Sequence, residues 1–114
     1  RTALGVDPKR LDLIIAILEK YCKIDLGFFD IFVNIPGEFS LRDAGLDLAI
    51  AAAIFSQYSG QTAPRDHIFV GEVSLSGQIT RAKLHPKRAR EVPDGFTLID
   101  HELKTVAAIP TLFR

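Results

Sequence analysis

The sequence predicts a single α+β domain, and three observations carry that prediction. Residues Asp43 to Tyr58, DAGLDLAIAAAIFSQY, read as one buried helix. Short runs of β-type alternation lie on both sides of it. The order of helical and extended runs does not follow the regular strand–helix–strand alternation of a parallel α/β sheet.

The helix is the clearest element. Leu46, Ile50, Ile54 and Tyr58 recur every four residues, and Leu48, Ala52 and Phe55 form a second row. Two apolar rows predict cover around most of the circumference. Ala49, Ala51, Ala52 and Ala53 favour helix and let neighbours come close. Asp47 is the one charge between Ala44 and Ser56.

From the N-terminus, residues 1–6 read at most as the end of a strand. Asp7-Pro8 is a helix start, with Asp7 as cap and Pro8 in the first turn. Leu11, Ile14, Ile15, Leu18 and Cys22 continue it as a stripe, predicting a helix over 8–23 with Lys20 and Lys23 at its negative end. Phe29, Ile31, Val33 and Ile35 alternate with Asp30, Phe32 and Asn34, predicting a strand over 29–35 that Pro36-Gly37 breaks. Phe39 to Leu41 reads as a short extended piece leading into the central helix, which Ser59-Gly60 ends. His67 to Val70 is an apolar strand. Val73–Leu75 and Gln78–Thr80 predict a hairpin with the two-residue turn Ser76-Gly77. A short helix starts near His85 or Pro86 and stops before Pro93. Phe96 to Ile99 is a further strand, and 102–108 is compatible with helix until Pro110.

Composition bounds the function. The chain has 114 residues, 47 % of them hydrophobic, enough for one domain with a core. Lys plus Arg and Asp plus Glu are 14 each, so overall charge points to no partner. The single cysteine, Cys22, supplies neither a disulfide framework nor a cysteine zinc site, and fits a reducing cytoplasm. No run approaches the ~20 apolar residues of a membrane span. A start at Arg1 and the absence of methionine lead to the expectation of a piece of a longer protein. His67, His85 and His101 have no metal-type spacing and read as surface or capping histidines, so no metal site is expected.

Local charge is more informative. Arg81, Lys83, Lys87, Arg88 and Arg90 are five of the fourteen Lys and Arg, and no acid lies between Glu72 and Glu91. Such a run can track phosphates with strongly salt-dependent affinity, or can be a solvated face.

Three segments resemble one family: VDPKRLDLIIAILEK (6–20), DIFVNIPGEFSLRDAGLDLAIAAAIFS (30–56) and FVGEVSLSGQITRAKLHPKRAREV (69–92). Their order and spacing are similar to the C-terminal Lon-protease-like domain of the bacterial DNA repair family RadA, also called Sms. The resemblance covers most of residues 1–100; the last fifteen match poorly. Its most specific parts are the alanine-rich helix and the Gly71-Glu72-Val73-x-Leu75-x-Gly77 hairpin. It implies the Lon-protease-like fold (ribosomal protein S5 domain 2-like), a mixed sheet packed on helices, with residues 1–114 as one domain of the longer protein. For the parent it implies a cytoplasmic, hexameric, DNA-dependent ATPase acting in recombination and branch migration on single-stranded or branched DNA. ATP, magnesium and zinc belong there; this chain has no phosphate-binding loop or cysteine pair, and no cofactor is expected in it.

The Lon family uses a serine nucleophile activated by a lysine of lowered pKa. A gap-free alignment puts the serine position at Gly45 and the lysine position at Pro86. Neither residue can do that chemistry, and Lys87, one place on, finds no hydroxyl at Gly45. Ser56 and Ser59 sit at least two turns away. The expectation is therefore a non-proteolytic domain that scaffolds a ring and contributes to DNA binding through Arg81, Lys83, Lys87, Arg88 and Arg90. Asp43 and Asp47, read as the exposed start of the helix, are its expected subunit contacts. The alternatives are an active Ser–Lys peptidase domain of a Lon-type protease and a purely structural oligomerisation module. Glu72 is expected to fix the hairpin turn by hydrogen bonding.

Overall fold

The structure is a computed structural model that describes residues 2–35, 43–83 and 85–114. The expected extended piece at 39–41 and the break at Pro36-Gly37 lie outside these residues.

Strand β1 (Thr2–Leu4) leads into helix α1 (Pro8–Cys22). Asp7 caps that helix by accepting the Lys9 N–H, and Lys23 closes it in the left-handed conformation. Strand β2 (Phe32–Asn34) pairs in parallel with β1, Ala3 opposite Val33. It is shorter than the predicted 29–35. A 3-10 turn, Ala44–Leu46, precedes the central helix α2 (Asp47–Ser59), which Gly60 ends. Strand β3 (His67–Phe69) is followed by β4 (Glu72–Val73) and β5 (Ile79–Thr80), an antiparallel pair. Helix α3 (His85–Arg90) comes next, and then strand β6 (Thr97–Ile99), parallel to β3. The chain finishes in two 3-10 segments, His101–Leu103 and Val106–Leu112.

The α+β class holds, with two differences. Among the described residues the strands form three separate pairs, in place of one mixed sheet. Strands of two or three residues leave few ladder bonds to join neighbours, and Val70-Gly71 already turns the chain away from β3. The second difference is at the C-terminus, where the predicted helix is 3-10. Lys104 takes a positive φ between the two segments, and Pro110, which has no N–H, sits inside the second.

The hairpin turn also differs. Ser74 N–H donates to Gln78 O, enclosing three residues, Leu75 to Gly77, and Gly77 takes the left-handed conformation at φ 80°. A Cβ at Gly77 would stand 2.7 Å from the Tyr21 ring, so α1 rests directly on the turn. Only glycine meets both demands.

The core joins three elements. Leu11, Ile14, Ile15 and Leu18 of α1 face Leu48, Ala51, Ala52 and Phe55 of α2, and Val106, Ile109 and Phe113 close it. The Phe55 and Phe113 rings pack at a tilt of 55°, centroids 5.3 Å apart. The C-terminal segment is thus an integral layer. It is tied to the hairpin by Ile79 N–H to Lys104 O and Val106 N–H to Gly77 O, both 2.8 Å. Helix α2 is covered as expected except along Ala53, Gln57 and Tyr58, which are exposed.

Candidate functional site

The turn before α2 and the loop entering β4 meet backbone to backbone. Gly71 N–H donates to Gly45 O at 3.0 Å, and Leu48 N–H donates to Gly71 O at 3.1 Å. These bonds bring together the two stretches that carry the resemblance. The turn is closed from within: Asp43 Oδ1 accepts the Gly45 N–H at 2.9 Å, and Asp43 O accepts that of Leu46.

Arg88 fills the space beside Gly45. Its guanidinium pairs with Asp43 Oδ2. A Cβ at Gly45 would collide with Arg88 Nη1, and would come within 3.0 Å of Asp43 Oδ1 and 3.1 Å of Ala82 Cβ. The absence of a side chain at 45 is what lets the arginine lie down on the turn. Pro86 stands in α3 with no amine to offer, and Lys87 next to it is exposed.

Asp47 is not an exposed carboxylate. It is 1 % accessible, so its expected place on an exposed surface is corrected. Arg10 holds it with a forked pair, Nε to Oδ1 at 2.9 Å and Nη2 to Oδ2. Val73 N–H adds a third bond to Oδ2 at 3.0 Å. Arg10 Nη2 also donates to Val73 O at 3.3 Å and lies 3.9 Å from Glu72 Oε1. Its hydrogen bond to Asp47 raises the Arg10 pKa against the opposing effect of burial. This cluster ties α1, α2 and β4 together. Glu72 accordingly faces Arg10 rather than fixing the turn. The sequence signal for the pairing was an arginine two residues after a capped helix start, which carries no information about a carboxylate 37 positions away.

The basic run is divided. Arg81, Lys83, Lys87 and Arg90 are exposed, whereas Arg88 is half-buried against Asp43. The expected attraction between Asp43 and a basic residue exists, but inside one chain. Lys83 precedes α3, so of the exposed cations only Lys87 and Arg90 are helical.

Two histidines also depart from expectation. His85 is buried and its Nε2 lies 2.7 Å from Asp100 Oδ2; the His101 ring meets it edge-on, centroids 4.8 Å apart. Spacing did not reveal this group because β3–β6 pairing, not local sequence, brings residue 100 back to α3. His67 is on the surface side, 3.0 Å from Asp66. Cys22 donates to Val106 O at 3.3 Å, and burial pushes its thiol pKa up, away from reactivity. No helix among the described residues is long and apolar enough to cross a membrane.

A groove of about 800 Å³ runs between β2 and α2, lined by residues such as Phe29, Val33, Ala49, Ile50, Ala53 and Tyr58. Beside it Leu4, Phe28 and Phe32 are more than half exposed.

The family model described as subunit ChlI of Mg-chelatase matches residues 9–91. Curated relatives include the DNA repair protein RadA of Campylobacter jejuni, 43 % identical over 69 % of this chain and 18 % of that protein. RadA of Aquifex aeolicus is 41 % identical over 80 % of this chain and 20 % of its own length. RadA of Helicobacter pylori is 37 % identical over 81 % and 20 % respectively. The chain spans about a fifth of the length of these relatives.

Proposed function

Because the chain belongs to the family described as subunit ChlI of Mg-chelatase and is homologous to DNA repair proteins named RadA, we propose that it is the non-proteolytic, Lon-protease-like C-terminal domain of such a repair protein. In this reading it binds DNA phosphates and packs subunits of a hexameric ring. ATP, magnesium and zinc act elsewhere in the parent.

One observation carries the reading. Around Gly45 the space for a nucleophile is taken by Arg88, while four other cations of the same run remain on the surface. A turn with its amides bonded to Asp43 and an arginine laid across it has nothing to attack a peptide with. Exposed Arg81, Lys83, Lys87 and Arg90 neutralise phosphates and release counterions without reading bases. Exposed Leu4, Phe28 and Phe32 support a second, apolar contact surface, and a ring needs two different surfaces on each subunit.

The test is DNA affinity of the full-length protein at two salt concentrations, with Lys83, Lys87 and Arg90 replaced by alanine. The reading requires weaker binding for all sequences and a shallower salt dependence, by about one unit of slope per lost contact. Unchanged affinity and slope would favour the purely structural module instead.

A further inference from the structure

His85, Asp100 and His101 form a group that the proposed function does not use. His85 opens α3, its N–H donating to Ala82 O. Asp100 follows β6 and caps the next turn, Oδ1 accepting the Glu102 N–H at 2.9 Å. That bond fixes the carboxylate so that Oδ2 faces both imidazoles. His85 Nε2 is 2.7 Å from it and His101 Nδ1 is 3.8 Å. One donor atom from each residue can be chosen so that all three lie within 4.8 Å of one another.

Among the described residues, Nδ1 of His85 and Nδ1 of His101 are buried without a hydrogen-bond partner. The orphan nitrogen of His101, which faces the Asp100 carboxylate, requires a physical explanation, since buried polar atoms are nearly always paired. An imidazole nitrogen is a borderline donor, and this one lies 3.8 Å from Asp100 Oδ2.

We propose that His85, Asp100 and His101 bind a divalent transition-metal ion of the zinc type. Two imidazoles and one carboxylate suit such an ion, whereas magnesium and calcium favour all-oxygen sets. Donors bound at about 2.0–2.2 Å in a tetrahedron lie roughly 3.3 Å apart, so the two separations to Asp100 change by about half an ångström and the widest separation in the group closes by up to about 1.5 Å. His85 and Asp100 separate slightly as the ion replaces the proton they share, and His101 moves inward. Glu102 Oε1, 3.6 Å from His101 Nε2, is placed to accept from that nitrogen once Nδ1 ligates, the outer contact that orients metal-bound histidines. The His101 side chain is 26 % exposed, which leaves a route for entry and a fourth position for water. The ion would clamp α3, with its basic residues, to the end of β6. This inference stands apart from the DNA reading.

The test compares the full-length protein with His101→Gln and His85→Gln, each stripped by chelator and titrated with cobalt(II). The expected result is one equivalent more cobalt in the wild type than in either variant, with visible d–d absorption in the difference. His101 is the most exposed of the three, so His101→Gln decides the matter if His85→Gln does not fold. His101→Cys should keep the equivalent and add a thiolate-to-cobalt charge-transfer band. Equal stoichiometry in wild type and His101→Gln would overturn the site and leave the group as a hydrogen-bonded cluster.

Discussion

The Arg88 guanidinium lies where a side chain on Gly45 would have to stand, and only because residue 45 has none. The two residues therefore make one structural unit: a bare turn and the arginine that covers it, held by Asp43. Such an arrangement makes position 45 a packing contact between α3 and the entry to α2.

Replacing Gly45 with serine tests that unit. The hydroxyl must displace Arg88, whose side chain is flexible at its far end, so the fold should survive. Loss of the partly exposed Asp43 pair should cost about 1 kcal/mol in urea denaturation. No turnover of casein or fluorogenic peptides is expected, since Pro86 offers no base. Turnover abolished by a serine-directed reagent would overturn the expectation that no base reaches this turn.

Asp47 should behave as a structural carboxylate. Arg10→Ala strands an almost fully buried charge, and removing one partner of such a pair typically costs about 3–5 kcal/mol. Arg10 is itself about a quarter exposed, which places the expectation near the lower end. Joining Arg10→Met to Asp47→Leu should recover much of the loss, a coupling visible in a double-mutant cycle of denaturation free energies. Additive losses would show that the two side chains act separately.

These two sites mark how far the sequence could be read. The helices were legible because capping and periodicity are local: Asp7-Pro8 and Ser59-Gly60 sit at the observed ends of α1 and α2. Gly45 was legible as a position without a side chain. Partners were not. Arg10 with Asp47 and His85 with Asp100 are chosen by how elements pack, and no spacing encodes that. The hairpin turn was misjudged by one residue because Ser76-Gly77 fits a two-residue loop equally well until Tyr21 is seen against Gly77. The C-terminal 3-10 segments were misread because Pro110 marks a break in an α-helix but is tolerated in looser turns.

Asp100 predicts an acid limit to stability. Burial disfavours its charge, yet the Glu102 N–H and the two histidines together hold its pKa below the ordinary carboxylate value. A depressed folded-state pKa means that its contribution is present above the unfolded value, about 4, and is lost as pH falls through the folded value. The stability difference between wild type and Asp100→Asn should therefore be present above about pH 4 and shrink as the pH falls below it. Chemical denaturation at several pH values measures it, and a gap that widens on acidification would contradict the assignment.

The last prediction separates Arg88 from its neighbours, which composition treats as equals. All five cations of the 81–90 run carry the same charge, but Arg88 already has a carboxylate partner and is half-buried, whereas Lys87 beside it is exposed. A cation that neutralises a phosphate releases a counterion and adds to the salt slope; one neutralised by Asp43 has no counterion to release. Lys87→Ala should thus lower DNA affinity and flatten the salt dependence by about one unit, with little change in folding stability. Arg88→Ala should do the reverse, leaving the slope in place and lowering stability by about 1 kcal/mol. Asp43→Asn supplies the control: freeing Arg88 should steepen the slope of the otherwise unchanged protein, because a fifth cation then reaches the phosphates. Filter binding or anisotropy across a salt series, paired with urea denaturation of the same variants, gives both readouts. Identical slopes for Lys87→Ala and Arg88→Ala would mean that the Asp43 pair opens on DNA, and the division of the basic run would have to be abandoned.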